Sequence, residues 1–443
     1  MKQWIVILCL LAGCRTAPVP AATPTEVPAN IPTPSEVMAE VAKLDSAALW
    51  PRFDVRAFPV AMFDGKQTWL FGYPEPPEEF RKVSDDVYVH DGRHPAVTAN
   101  STALIDNILT ATLLPMPDSL TMRERVGLVV HELFHAFLTK RQPKWLANEA
   151  ELFVYPVEDA QNIALARLET EALRRALQEQ GETSVCWAAA AMEVRRQRFT
   201  KLSPSAASYE WGTELSEGLP TYVQHRAAET PDERVLPPSF DPAAVRQRAY
   251  GTGHAMARLL DRFSPDWRQE LGSGDVRPLD LFLTMAVADA LGKCAFTDAD
   301  RAEAQRLAEQ DVAALRIGRE RRRADFLAQR GWRVVVTMKE GVLWPQSFDP
   351  LNVHVVAPGE VLHTRHVKLG NEQSAIEILD RTALSVAAGA HPLFNGVKTV
   401  TVGGLAEKPV VEERDGFVTI TGDGVTGRLR ATDVDVRVTW EQG

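Results

Sequence analysis

The chain has 443 residues, of which 45% are hydrophobic, 24% charged and 7% aromatic. This is ordinary globular composition, which excludes a disordered or collagen-like chain, and the length is enough for two or three domains. Lys and Arg number 49 against 59 Asp and Glu, a formal charge of −10. With no broad basic block to track phosphates, nucleic acid is not an expected partner. No apolar run reaches the ~18–20 residues that span a bilayer.

In chain order, Lys2 gives a short positive head, Trp4 to Leu11 an apolar stretch too short to span, and Leu11-Ala12-Gly13-Cys14 closes the segment. This resembles a bacterial lipobox. The resemblance implies a signal peptide over 1–13 and acylation of Cys14. It also implies a lipid-anchored place in the cell envelope. Arg15 follows in place of an inner-membrane-retaining Asp, so the outer membrane is expected. Residues 14–34 hold six prolines among Ala, Thr and Val with no apolar period, and read as a tether with folding starting near Ser35. Lipidation would leave Cys186 and Cys294 in an exported chain. They are either one disulfide or two separate buried thiols, and the sequence leaves both open.

Residues 50–114 carry short β-like runs (Pro59 to Phe63, Thr68 to Phe71, Val87 to His90) and then a strand pair within Val97 to Leu114. From 119 to 330 the chain turns to Ala, Leu, Glu, Arg and Gln at helical spacing. Its last predicted helix, over 298–330, is opened by Thr297 with Asp300, and Gly318 weakens its continuity. After Gly331, β-branched runs separated by Gly, Asp, Asn and Pro predict an all-β domain over 331–443. The expected fold class is α+β: a mainly helical domain over 35–330 with a β-rich N-terminal part, followed by the all-β domain.

The chemistry centres on a helix opened by Thr121 and Glu124 that contains His131-Glu132-Leu133-Phe134-His135. Residues four apart share one helix face, so both imidazoles point at one spot and suit two ligands of a tetrahedral zinc at ~2.0–2.1 Å. Glu132, beside the first ligand, is placed to take a proton from a water that the metal activates.

A catalytic zinc of this kind needs a third protein ligand. Three candidates compete. Glu149, in Trp145-Leu146-Ala147-Asn148-Glu149, resembles an aminopeptidase pattern. On helical geometry it lies too shallow, about 4 Å back against a needed ~9 Å; Glu151 lies deeper. Glu217 lies in Glu217-Gly218-Leu219-Pro220-Thr221-Tyr222-Val223, which resembles the second motif of gluzincin metallopeptidases. There the Glu before Gly is the third ligand, and the small residue lets its helix pass close to the first. Pro220 departs from the usual Ala, which is tolerable only at a helix start or a kink. Glu217 is the preferred ligand.

From the leader through the HExxH helix to Glu-Gly-Leu-x-x-Tyr, the arrangement is similar to uncharacterised bacterial zincin-like lipoproteins, over about residues 50–330. The resemblance implies a zinc metallopeptidase that binds one Zn2+ per chain through His131, His135 and Glu217. Glu132 would be its general base, and a peptide or protein its substrate. Tyr250, in Ala249-Tyr250-Gly251-Thr252-Gly253-His254, is the first candidate for stabilising an oxyanion, because nearby glycines permit close approach of chain and ligand. Tyr222 and His254 are alternatives, and His225 lies two turns past Glu217 on the same face. His363-Thr364-Arg365-His366 reads as a solvated strand face, and the arginines from Arg316 to Arg323 as a solvated helix face. Two other readings stand beside the peptidase. One is a zinc-stabilised envelope scaffold or binding lipoprotein without catalysis; the other is a hydrolase acting on an amide of cell-wall material.

Overall fold

The computed structural model describes residues 31–271 and 276–442. The expected signal peptide, Cys14 and the expected tether up to Asn30 therefore lie outside the described residues. Helix α1 (Pro34–Val41) starts with a capping box between Thr33 and Glu36, and α2 (Ser46–Leu49) follows.

A six-stranded sheet comes next: β1 (Val60–Phe63), β2 (Gln67–Phe71), β3 (Arg81–Ser84), β4 (Val87–Asp91), β5 (Ser101–Ile105) and β6 (Ile108–Leu113), in the order β3-β4-β2-β1-β6-β5. Only β1 and β6 run parallel. Side chains alternate across a strand, so Val60 and Met62 join the main core while Ala61 packs into a smaller cluster on the other face. The main-core face lies against α3 (Met122–Arg141), whose Val126, Val129, Val130 and Leu133 meet Ala111 and Leu113.

The helical part continues with α4 (Ala160–Gln178), α5 (Gly181–Phe199), α6 (Pro204–Thr213), α7 (Leu219–Ala227), α8 (Val245–Phe263), α9 (Trp267–Leu271), α10 (Leu279–Ala286) and α11 (Asp298–Leu327). The Thr297/Asp300 capping box opens α11, which runs unbroken through Gly318, where a Cβ would meet the Arg322 side chain at 3.5 Å. Cys186 and Cys294 form a disulfide across a sequence separation of 108. Closing so long a loop restricts the unfolded chain and stabilises the fold by about 2–4 kcal/mol. No helix among the described residues is long and apolar enough to cross a membrane.

Twelve strands then form a sandwich of two antiparallel sheets. They are β7 (Gly331–Met338), β8 (Trp344–Phe348), β9 (Val353–Ala357), β10 (Glu360–His363), β11 (His366–Gly370), β12 (Ala375–Leu379), β13 (Ala383–Ala387), β14 (Val397–Leu405), β15 (Val410–Arg414), β16 (Phe417–Gly422), β17 (Val425–Arg430) and β18 (Val434–Glu441). The sheet orders are β18-β7-β14-β13-β10-β9 and β15-β16-β17-β12-β11-β8. Val334, Val336, Val400 and Val402 of the first face Val367, Leu369, Ile376 and Ile378 of the second.

This packing corrects the reading of His363 and His366 as solvated. His363 is fully buried against Ser385, and His366 is buried beside Glu377. The arginine helix is also more than a solvated face. Arg316 and Arg319 pair with Glu158, and Arg323 pairs with Glu360 of the sandwich.

Candidate metal centre

Thr121 and Glu124 form the capping box that starts α3, and its middle is buried on every side. Away from the histidines, Phe134 sits in an aromatic cluster with Trp50, Phe53 and Phe137, and Trp50 also packs edge-on against Tyr222 of α7. These contacts fix the rotation of α3, so that His131 and His135 face the chain between α6 and α7.

That chain is not a plain α-helix. Glu214–Gly218 is a π-helical turn, with the Leu219 N–H bonded to the Glu214 carbonyl. Pro220 explains it. Proline has no N–H and its ring collides with the carbonyl four residues back, so the wider turn absorbs a residue that would otherwise break the helix. Glu217 lies inside this turn.

Gly218 has a different role from the expected one. A Cβ there would meet Gly253 Cα of α8 at 2.8 Å, and a Cβ at Gly253 would meet the Glu214 carbonyl at the same 2.8 Å. The small pair lets α8 cross the π turn. The close approach to α3 is instead made by Gly127, whose Cβ position lies 3.0 Å from the Gln224 carbonyl. Likewise Gly251 faces Leu236 and Phe240 of the segment before α8, so the glycines around Tyr250 make close packing contacts within the protein.

His131, His135 and Glu217 converge, with one ligand atom from each lying within 4.8 Å of the others. The two Nε2 atoms are 3.0 Å apart, and Glu217 Oε2 is 3.3 Å from His135 Nε2 and 3.9 Å from His131 Nε2. Two nitrogens held at ~2.0–2.1 Å by one tetrahedral ion would be about 3.3 Å apart, so the cluster fits a metal ion after small adjustment. Two imidazoles and one carboxylate form a borderline donor set that suits zinc. Burial pushes the Glu217 carboxyl up, but the His135, His131 and Arg246 side chains overcome it and hold the acid well below its usual range.

The other Glu217 oxygen is already engaged: Arg246 Nη2 donates to Oε1 at 2.5 Å. Arg246 Nη1 donates to Glu149, whose second oxygen accepts from the Tyr209 hydroxyl at 3.3 Å. Glu149 is thus an ion-pair partner of Arg246, outside the ligand set. The expected helix after Trp145 is a short 3-10 turn, Glu149–Phe153, and among the described residues neither Glu149 nor Glu151 belongs to the metal cluster.

Glu132 is 5% exposed, and its Oε2 has no hydrogen-bond partner. Burial lifts its carboxyl to about 7; the His131 charge opposes this and Glu217 adds to it. Tyr250 lies with its ring nearly parallel to that of His131, centroids 6.4 Å apart, and Arg246 packs over its ring. Burial and then Glu217 push its phenol upward, so it stays a donor at ordinary pH. Tyr222 is committed elsewhere, donating to Asp261 at 2.8 Å. His225 and His254 lie with tilted rings whose centroids are 4.5 Å apart, and burial lowers both, His225 to about 4.

Beneath the site lies an ion network that the sequence reading missed. Arg195 binds Glu169, Glu214 and Asp280, while Arg198 binds Glu169 and Glu210. Arg248 reaches Glu210, and the Thr252 hydroxyl donates to Glu214. Glu210 lies in the last turn of α6, four residues before Glu214, which opens the π turn, so the network grips the chain on the approach to the third ligand. Arg246 was missed as well, although it lies four residues before Tyr250 on α8 and that spacing was the available signal.

No protein-family model, no curated protein and no solved structure matches this chain.

Proposed function

We propose that the protein is a zinc-dependent metallopeptidase of the zincin type, anchored to the bacterial envelope through acylated Cys14. The observation that carries this reading is a buried Glu132, its Oε2 without a hydrogen-bond partner, beside a converging His131, His135 and Glu217. Zinc, when bound, polarises a carbonyl and acidifies water. Glu132 takes the proton of the attacking water, and a carboxyl lifted toward neutrality is suited to accept a proton and then return it. Tyr250 donates a hydrogen bond to the oxyanion that develops on the carbonyl. Arg246 holds Glu217 by one oxygen and leaves the other for the metal.

The test is zinc content per chain for the wild type and Glu217→Ala, followed by hydrolysis assays on protein and on peptidoglycan. About one zinc in the wild type and much weaker retention in the variant are expected. Equal zinc in both would remove Glu217 from the ligand set, and no zinc in either would end the metal reading. Cleavage of peptidoglycan alone would move the substrate from protein to cell wall. Tyr250→Phe is expected to keep its zinc and lose up to about 10²-fold in kcat. Unchanged kcat would return Tyr250 to a packing role.

A further inference from the structure

We infer that the C-terminal β sandwich positions the third metal ligand, acting through the 3-10 turn Glu149–Phe153; this rests on the metal site proposed above. The turn has one end in each part of the molecule. At its far end, Phe153 is 6% exposed and belongs to the core of the sandwich. Its ring centroid lies 5.5 Å from Phe348, 5.9 Å from His391 and 6.0 Å from Phe394.

A hydrogen bond adds direction to this apolar grip. His391 Nδ1 accepts from the backbone N–H groups of Leu393 at 3.1 Å and Phe394 at 2.8 Å. That fixes the tautomer with the proton on Nε2, which donates to the Ala150 carbonyl at 3.0 Å.

At the near end, the residue before Ala150 is Glu149, and it occupies one arm of Arg246 while the other arm holds Glu217 Oε1. The division of that guanidinium is the functional point. With Glu149 in place, Arg246 is single-handed toward Glu217, and Oε2 stays turned to the imidazoles. With Glu149 displaced, both arms are free to fork across the Glu217 carboxylate, the preferred Arg–carboxylate geometry, which takes Oε2 out of the ligand set. Glu149, Ala150 and Phe153 share one short turn and do not move independently. Seating the sandwich therefore sets the position of Glu149.

Further polar links between the two parts, Arg323 with Glu360, Arg365 with the Thr98 carbonyl and Arg93 with Asp380, do not touch this turn. Phe153, His391 and Glu149 are positioning residues; none is among the proposed ligands.

The experiment is zinc affinity of the full chain, measured by competition with a chromophoric chelator at a temperature where each variant is folded. Glu149→Gln should weaken zinc by about 10-fold or more, the range for partners of metal ligands. Phe153→Ala and His391→Ala should each weaken it by about 3- to 10-fold, although neither changes a charge nor touches Arg246. Phe153→Leu, which keeps the apolar anchor, should stay near wild type. Combined with Glu149→Gln, the His391→Ala effect should largely vanish, because both act through one contact. Wild-type affinity in Phe153→Ala and His391→Ala, with only a lower melting temperature, overturns the inference and leaves the sandwich a stabilising role. Full additivity with Glu149→Gln overturns the route through Glu149. Absence of zinc binding in the wild type would instead bring down the metal site, and this inference with it.

Discussion

Replacing Glu132 with Gln is expected to lower kcat by about 10²–10⁴-fold, the usual worth of a general base, while zinc stays at about one per chain. The amide has the shape of the acid and fills the same buried volume, so packing is kept. It cannot accept the proton of the attacking water. Zinc retention follows because Glu132 is not one of the three converging ligands.

The pH profile gives an independent readout. A general base works only when deprotonated, so activity rises with pH through its pKa. Burial lifts Glu132 to about 7, and a cation bound beside it lowers that value again. The acid limb of kcat/KM is therefore expected below pH 7, and it should disappear in the variant. The metal-free fold makes the opposite demand. A carboxyl whose folded pKa is raised favours the protonated state, so its contribution to stability falls as pH rises from its ordinary value through about 7. Metal-free Glu132→Gln should thus be at least as stable as metal-free wild type at pH 8. Wild-type hydrolysis by the variant would sink Glu132 as the general base, whereas absence of hydrolysis in the wild type itself would return the protein to the scaffold reading.

How much of this was legible in the sequence depends on how local each determinant is. The pairing of His131 with His135 and the start of α3 at Thr121 are set within single helical turns, and spacing alone exposes them. The approach of Glu217 rests on two events far from each other in the chain: the π turn that accommodates Pro220, and the Gly218–Gly253 crossing. Only the motif resemblance brought Glu217 forward; no spacing rule did. For Arg246 the spacing to Tyr250 gave only its face of α8; its importance comes from bridging Glu149 and Glu217, which meet only in the folded state. The disulfide was left open for the same reason, since Cys186 and Cys294 approach only when α5 meets the chain before α11. In the sandwich, the runs at Val334, Val353, Ala375, Val397, Phe417 and Val434 were readable as strands. Strand β8, Trp-Pro-Gln-Ser-Phe, holds no β-branched residue, and β15 holds only Val410 and Val411 before charged residues, so neither stood out as a strand. His363 and His366 were misjudged because a polar-looking His-Thr-Arg-His segment gives no sign that His363 turns inward with Val361 and that His366 is buried beside Glu377 on the other face of its sheet.

Removing Arg198 should produce the largest loss of stability. Arg198→Ala deletes a fully buried guanidinium that holds Glu169 at 2.9 Å and Glu210 at 2.6 Å. Breaking the network from one side leaves Glu169 and Glu210 buried away from water with only Arg195 and Arg248 to balance them, at about 3–5 kcal/mol. That is a large share of a total stability of about 5–15 kcal/mol. Glu214→Gln in the same network should cost much less. The network sets three arginines (Arg195, Arg198, Arg248) against four acids (Glu169, Glu210, Glu214, Asp280). It balances when one acid carries a proton. Glu214 is that acid: burial lifts it to about 7 against the pull of Arg195. An amide imitates the protonated form and still accepts from Thr252, with one hydrogen bond to Arg195 lost, a matter of about 1–2 kcal/mol. The pH dependence runs with the raised pKa. Wild-type stability from Glu214 falls as pH rises from the usual carboxylate range through about 7, whereas the Gln variant has no such slope. Urea midpoints measured at pH 6 and pH 8 should therefore show the Glu214→Gln deficit shrinking with pH and the Arg198→Ala deficit persisting. If Arg198→Ala loses no more than Glu214→Gln, the buried ions are not what holds the face of α6 and the π turn in place, and the positioning of Glu217 rests on the glycine crossing alone.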